Sequence, residues 1–337
     1  MPRKDPKGSA ELALIARIRQ RAAGLPSRRV KLGIGDDCAI LAPPREQELL
    51  VTTDFSLEGR HFRRDWHPAG SAGHRTLARG LSDLAAMGAT PLAAFLSLAL
   101  PRSVAREKLW LDGFLDGLLA LAAAHQVPLA GGDTSESPST AVLADIILLG
   151  SAPFGRALRR SGARAGDRLY VTGSLGGAAA ELAALAAAPK KFRHATAAGD
   201  HPHLFPQPRL AVGQALLRRG LAAACIDLSD GLSTDLAHLC DESNVAAEIH
   251  AAALPLHPLT QTLAPAAALH AALHGGEDYE LLFTAPTKVR MPRSISGVRI
   301  TAIGNILASR RNRPQVTLVD AANRRKPLAA QGWQHLQ

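Results

Sequence analysis

Seven aspartates in this sequence stand where a carboxylate is poorly tolerated unless something offsets its charge. Asp36 and Asp37 are adjacent in GIGDDCAIL, Asp54 ends VTTD, and Asp133 follows two glycines in GGDT. Asp227 and Asp230 bracket Leu228 and Ser229 in IDLSDG, and Asp83 lies between Leu81 and Leu84 in LSDLAAMG. Neighbouring carboxylates repel, and a carboxylate in apolar surroundings resists losing its water. Singly, each has an ordinary explanation. Asp36-Asp37 reads as a solvated turn, Asp133 as the start of a turn, and Ser229 or Asp230 as the cap of a helix beginning at Gly231. Together, in a chain of formal net charge +10, they point to a shared cation site. Hard oxygen donors without clustered Cys or His favour magnesium over zinc, and D-L-S-D-G lacks the order of a calcium-binding loop.

Phosphate groups would gather several magnesium ions. There is, however, no G-x-x-x-x-G-K-S/T loop and no V-A-I-K, H-R-D, D-F-G set. The stretch YVTGSLGGAAAEL has a strand, a glycine turn and a helix, but lacks the G-x-G-x-x-G order and an acidic residue about 20 positions on, so it reads as a packing turn. G-x-S-x-G is absent too, which argues against a serine hydrolase.

Strand-like and helix-like runs alternate around these residues. The patterning predicts strands at 48–54, near 92–100, at VPLAGGDT and at 141–150, with helices over 71–88, closed by Gly88, and over 105–126. RSGARAGD (160–167) reads as a hinge, followed by the strand RLYVTG and an alanine-rich helix over 176–188. Residues 189–208 hold four prolines and three histidines with little periodicity, the composition of a long loop. ACIDLSDGLSTDLAHLC repeats the strand–turn–helix theme. The reading is α/β (α+β): two domains, 1–152 and 153–337, each a mixed sheet packed with helices.

A chain of 337 residues, 47% hydrophobic and 20% charged, is ample for two cores. Cys38, Cys225 and Cys240 are odd in number and form no C-x-x-C pair, which argues against a disulfide framework or zinc knuckle and fits a reducing cytoplasm. The N-terminus reads as a short amphipathic helix with Leu12, Ile15 and Ile18 on one face and Ser9 as cap, rather than a signal peptide. No run of 18 apolar residues predicts a membrane span. The basic residues are dispersed, with few aromatics among them and no nucleic-acid motif, so the charge reads as a solvated surface attractive to anionic small molecules.

GIGDDCAIL, TTDFSLEGRHF, LSDLAAMGATP, GGDTSES, GRALRRSGARAGDRLYVTG, IDLSDGLSTDL and GGEDYELLF occur in that order. The series resembles the thiamine-monophosphate kinase family, of the aminoimidazole ribonucleotide synthetase and selenophosphate synthetase superfamily. The likeness runs from about residue 10 to the C-terminal QGWQHL. It implies the two-domain synthetase-like fold, with dimerisation through the N-terminal domain. It further implies ATP-dependent phosphorylation of thiamine monophosphate to thiamine diphosphate, with several Mg2+ ions. By the same resemblance Asp36, Thr52, Thr53, Asp54, Asp83 and Asp133 are magnesium ligands of the first domain, and Asp227 and Asp230 of the second, with Asp37 behind Asp36. Gly132, Asp133, Arg160 and Ser229 would meet ATP; His61, Glu277 and Trp333 would meet the substrate. The family's V-E-G-x-H-F form is here S-L-E-G-R-H-F, a change in pocket shape. A selenophosphate synthetase would want a reactive cysteine ahead of its glycine-rich segment, and a hydrogenase-maturation relative a C-terminal one; Cys38 lies inside the metal motif and none follows Cys240. A nucleotide- or anion-binding module without catalysis is the reading from another class.

Overall fold

In the computed structural model, residues 10–25, 27–311 and 315–333 are described. Ser9, the side chain of Leu12 and residues 334–336 of the C-terminal motif lie outside them. The chain divides into two units: Met1–Gly80, Pro91–Ser151 and Phe192–Thr196 in the first, and Leu81–Thr90, Ala152–Lys191 and Ala197–Gln337 in the second.

The first unit opens with α1 (Ala10–Ala22), which buries Ile18 and pairs Arg17 with Asp112 and Arg21 with Asp112 and Asp116. A small antiparallel pair, β1 (Val30–Leu32) and β2 (Ile40–Leu41), holds the Asp36-Asp37 loop between its strands. There follow β3 (Gln47–Leu57), α2 (Ala69–Ala86), β4 (Thr90–Leu100), α3 (Arg102–Arg106), α4 (Lys108–Ala124), β5 (Leu129–Glu136) and β6 (Leu143–Pro153). Four strands form a sheet in the order β3-β6-β4-β5, with β4 and β5 parallel. Instead of one helix over 105–126, the backbone leaves helical geometry at Glu107 (φ −82°, ψ 82°), whose N–H is accepted by the Ser103 and Val104 carbonyls. That closes α3 one residue before α4 begins. α2 ends as expected: Gly88 takes φ +68°, its N–H bonds the Ala85 carbonyl, and the Ala89 N–H bonds Leu84. This is the two-bond closure that glycine permits.

The second unit contains β7 (Arg168–Thr172), α5 (Gly177–Ala187), α6 (Leu210–Arg218), β8 (Ala224–Asp227), α7 (Leu232–Ser243), β9 (Val245–His250), α8 (Pro265–His274), β10 (Leu281–Ala285), β11 (Ser294–Ile295), β12 (Val298–Ala308), β13 (Val316–Val319) and β14 (Arg325–Pro327). Its main sheet runs β14-β13-β9-β12-β7-β10-β8, with β11 paired to β12. Only β13 beside β9 is parallel among these pairs. Thr52, Thr53, Asp54 and Asp133 lie within strands of the first unit, and the second unit's sheet carries Asp227 at the end of β8. Leu169, Val171, Ile226, Leu236, Leu282 and Ile303 lie in its continuous core. Residues 189–208 are irregular apart from a 3-10 turn at Pro189–Phe192. The helix α6 was not legible in the sequence; it exists because Leu210, Val212, Leu216 and Leu217 are buried.

Candidate functional site

In the first unit, β4 and β5 run parallel with Leu96 opposite Gly132 and Ser97 opposite Asp133. Gly132 has φ +150°, and a Cβ there would overlap the Leu96 carbonyl oxygen, so only glycine lets β5 lie this close. Asp133 follows as an exposed strand residue, not the start of a turn. The β1–β2 loop packs near β5, and a cavity of about 520 Å³ is lined by Asp36, Asp37, Cys38, Gly132 and Asp133 with Ile15 of α1. Asp36 and Asp37 are exposed, and Asp36 Oδ1 accepts the Asp37 N–H at 2.9 Å. The local bond holds Asp36 in a turn while both carboxylates stay hydrated.

On β3 the alternation of a strand separates the three consecutive candidates. Thr52 and Asp54 are half-buried on one face, and Asp54 Oδ1 lies 3.5 Å from the Arg79 guanidinium. Thr53 is on the exposed face and donates to Asp145 Oδ1 at 2.7 Å. The side chains of Thr52 and Thr53 therefore cannot reach the same ion. His61 sits in the loop after β3, its Nδ1 accepting the Leu57 N–H at 2.9 Å and its carbonyl accepting from Arg75.

The second unit gathers its candidates through sheet register. β8 and β10 are antiparallel with Asp227 opposite Leu281, so the residues after Asp227 must run beside those before Leu281. Leu228 N–H bonds the Glu280 carbonyl, Tyr279 N–H bonds Leu228, and Glu277 N–H bonds Ser229 at 2.8 Å. Trp333 N–H then bonds the Asp230 carbonyl at 3.0 Å, laying the tail on the same turn, and the Trp333 side chain is half-exposed. Glu277 and Tyr279 both have positive φ, +67° and +49°, a conformation that costs energy outside glycine and collects at functional sites. Asp227 is buried, and Ser82 donates to its Oδ2 at 2.7 Å. Asp83, the next residue, lies in the last turns of α2, in the Leu81–Thr90 segment that clusters with the second unit.

The helix after IDLSDG is capped differently from the sequence expectation. Gly231 is its N-cap and no side chain caps it there; instead the buried Asp235 carboxylate accepts the N–H groups of Asp230 and Gly231 at 3.1 and 3.0 Å. Burial pushes the Asp235 carboxyl well above its usual range, and the charges of Asp227 and Asp230 push the same way. Arg160 lies in an exposed turn held by its carbonyl, which accepts from Ser243. At YVTGSLGG, the Asp278 carboxylate accepts the Gly176 and Ala178 N–H groups at 2.7 and 3.1 Å. A carboxylate of the chain itself occupies the start of α5, where a dinucleotide phosphate would otherwise sit.

Among the described residues, no three His, Cys, Asp or Glu side chains come close enough to hold a metal ion by themselves. The first unit pairs Asp36 with Asp133 on one cavity, and the second places Asp227, Ser229, Asp230, Glu277 and Trp333 along one turn.

Residues 35–152 match the family "AIR synthase related protein, N-terminal domain", and residues 164–312 match its C-terminal domain. The thiamine-monophosphate kinase of Escherichia coli K12 is 44% identical over 88% of this chain and 90% of its own length. The chain belongs to the thiamine-monophosphate kinase family. The crystal structure of thiamine-monophosphate kinase from Stenotrophomonas maltophilia superposes with a TM-score of 0.78 at 38% identity, covering 92% of this chain and 96% of that one. AaThiL, solved with AMPPCP and TMP, gives 0.74 at 29% identity over 100% and 99%. The two-domain, mixed α and β architecture expected from the motifs is thereby established.

Several residues that build the site carried no spacing signal. Asp145 is the lone charge in the strand run AVLADIILLG, a clue that alternation alone could have raised. Glu58 accepts from Arg64 and from the Val142 N–H at 2.8 Å, bracing the His61 loop. Glu280 accepts from Arg209 and Thr172. Apart from Glu58 and Arg64, these partners are far apart in sequence, and only the fold pairs them.

Proposed function

We propose that the protein transfers the γ-phosphoryl group of ATP to thiamine monophosphate, releasing ADP and thiamine diphosphate, the closing step of thiamine diphosphate synthesis. The observation that carries this reading is the 44% identity over 88% of the chain to the Escherichia coli thiamine-monophosphate kinase. The matched family domains take in Asp36, Thr52, Thr53, Asp54, His61, Asp83, Gly132, Asp133, Asp227, Ser229, Asp230 and Glu277; Arg160 and Trp333 fall outside them.

The acceptor is a phosphate monoester with a second pKa of about 6, so it is largely deprotonated at neutral pH and needs no general base. The obstacle is charge: two unit charges about 4 Å apart repel by about 4 kcal/mol at an effective dielectric of 20. Magnesium suits the donors present, because it binds through one or two carboxylates and fills its shell with water and phosphate oxygens. Paired rather than triple carboxylates, Asp36 with Asp133 and Asp227 with Asp230, are the arrangement that ion prefers. When bound, Mg2+ neutralises the phosphate oxygens and stabilises charge in an in-line transfer. Asp54 and Asp83 extend the donor set, Gly132, Arg160 and Ser229 face ATP, and His61, Glu277 and Trp333 hold thiamine monophosphate. Trp333 offers an indole face to a cationic thiazolium.

A second copy of the chain is the partner we assign to the first unit. The outer face of β3, an edge strand, exposes Leu49, Val51 and Phe55, an apolar stripe that water disfavours. All three cysteines are free, in keeping with a reducing cytoplasm. Among the described residues no helix is long and apolar enough to cross a membrane. The test is ADP release with thiamine monophosphate, with free thiamine and with no acceptor, each with Mg2+ or with chelator. Turnover confined to thiamine monophosphate plus Mg2+ is expected. ATP binding without turnover would favour a binding module.

A further inference from the structure

The histidine-bearing loop at 189–208 has no role in the phosphoryl-transfer reading, yet its second half is tied to α5 of the second unit by one buried carboxylate. Glu181 on α5 is only 2% exposed, and its Oε2 accepts the consecutive N–H groups of His203 and Leu204 at 2.7 and 3.1 Å. Its Oε1 lies 2.6 Å from His201 Nδ1. Bonding two successive amides to one carboxylate oxygen fixes the backbone at residue 203 and so the direction in which that side chain leaves the chain. The His203 ring is itself 2% exposed, and its Nδ1 lies 3.3 Å from Glu277 Oε2.

We propose that His203 is a positioning residue for Glu277, setting the side-chain geometry with which that carboxylate meets thiamine monophosphate. The inference rests on the reading in which Glu277 contacts the substrate. An ionised carboxylate only accepts, so His203 serves Glu277 in the form that carries a proton on Nδ1, the ring nitrogen facing it. Glu277 takes φ +67° with its N–H bonded to the Ser229 carbonyl, which fixes the backbone from which its side-chain torsions start. With 23% of the side chain exposed, those torsions are not settled by burial. Asp278 and Glu280 are anchored separately, by the start of α5 and by Arg209.

The test uses shape. Asparagine places an amide N–H where the imidazole carries Nδ1; glutamine places it where the ring carries Nε2 and fills more of the ring's volume. If His203 positions Glu277, His203→Asn keeps a KM for thiamine monophosphate near that of the unaltered enzyme. His203→Gln raises that KM about fivefold to tenfold, the loss of one polar contact. kcat and the KM for ATP stay within about twofold, since the interaction is with bound substrate rather than the transition state. In a Glu277→Ala background, His203→Gln adds nothing. If His203 merely packs, glutamine is tolerated and asparagine is not, and the proposal is overturned. If Glu277→Ala raises the KM but neither His203 variant does, the proposal fails while the role of Glu277 stands. If Glu277→Ala leaves the KM unchanged, both fall.

Discussion

The Arg209–Glu280 pair fixes the GGEDYE segment, and cutting it has a calculable cost. Arg209 Nε and Nη2 reach Glu280 Oε2 and Oε1 at 2.8 and 2.5 Å, and Thr172 Oγ1 donates to Oε2 at 2.5 Å. The Glu280 side chain is 4% exposed and that of Arg209 is 24%. Burial alone would lower the Arg209 pKa, but its bonds to Glu280 outweigh that and raise it. Arg209→Met leaves the Glu280 carboxylate buried with the Thr172 hydroxyl as its remaining bond. Removing one member of a buried pair costs about 3–5 kcal/mol, and partial exposure of Arg209 puts the cost near the lower end, about 3 kcal/mol. A unit of this size loses about 2–4 °C per kcal/mol, so the melting temperature falls by about 6–12 °C. Arg209→Met/Glu280→Met removes the stranded charge and recovers most of the loss. Calorimetry on the three proteins reads both effects. A single variant melting within about 2 °C of the unaltered protein, or a double variant less stable than the single, would refute the claim that this pair clamps the segment.

Three further outcomes follow from the same structure. Burial pushes the Asp278 carboxyl up to about 7, from an ordinary 3.8, so the folded chain holds that proton more tightly than the unfolded chain. Its contribution to stability is therefore full below about pH 4 and lost as pH rises through 7; urea unfolding should show Asp278→Asn flattening that decline. A thiol probe at pH 8 should label the exposed Cys38 alone in the folded protein and all three cysteines in denaturant, because burial raises the Cys225 thiol and pushes Cys240 up to about 12; rapid native labelling of all three would contradict it. Gly132→Ala should destabilise the first unit by about 1–3 kcal/mol in chemical unfolding, since the residue is at φ +150° and its Cβ would meet the Leu96 carbonyl; a neutral substitution would show that β4 and β5 can separate there.

What the sequence revealed, and what it hid, divides along range. The IDLSDG motif was visible as acidic residues beside glycine, because local turn chemistry leaves a local pattern, whereas GGEDYE stood out only through the family resemblance. That they lie side by side follows from antiparallel pairing of β8 with β10, which no spacing encodes. Gly88 announced the end of α2 correctly, whereas the break at Glu107 had no glycine or proline to mark it. Ser229 and Asp230 looked like caps by type; Asp235, four residues inside the helix, accepts the Asp230 and Gly231 amides, and no side chain caps the helix at Gly231. Thr52 and Thr53, adjacent in sequence, lie on opposite faces of β3, the half-buried and the exposed one. Glu181, Glu58 and Arg209, the residues that brace the site, act across tens of positions and were invisible.

The most direct test of the account follows the phosphoryl group itself. ATP labelled in its γ-phosphate is incubated with thiamine monophosphate, Mg2+ and the protein, and the product is hydrolysed stepwise. The account predicts label in the terminal phosphate of thiamine diphosphate. Label found only as inorganic phosphate would contradict it.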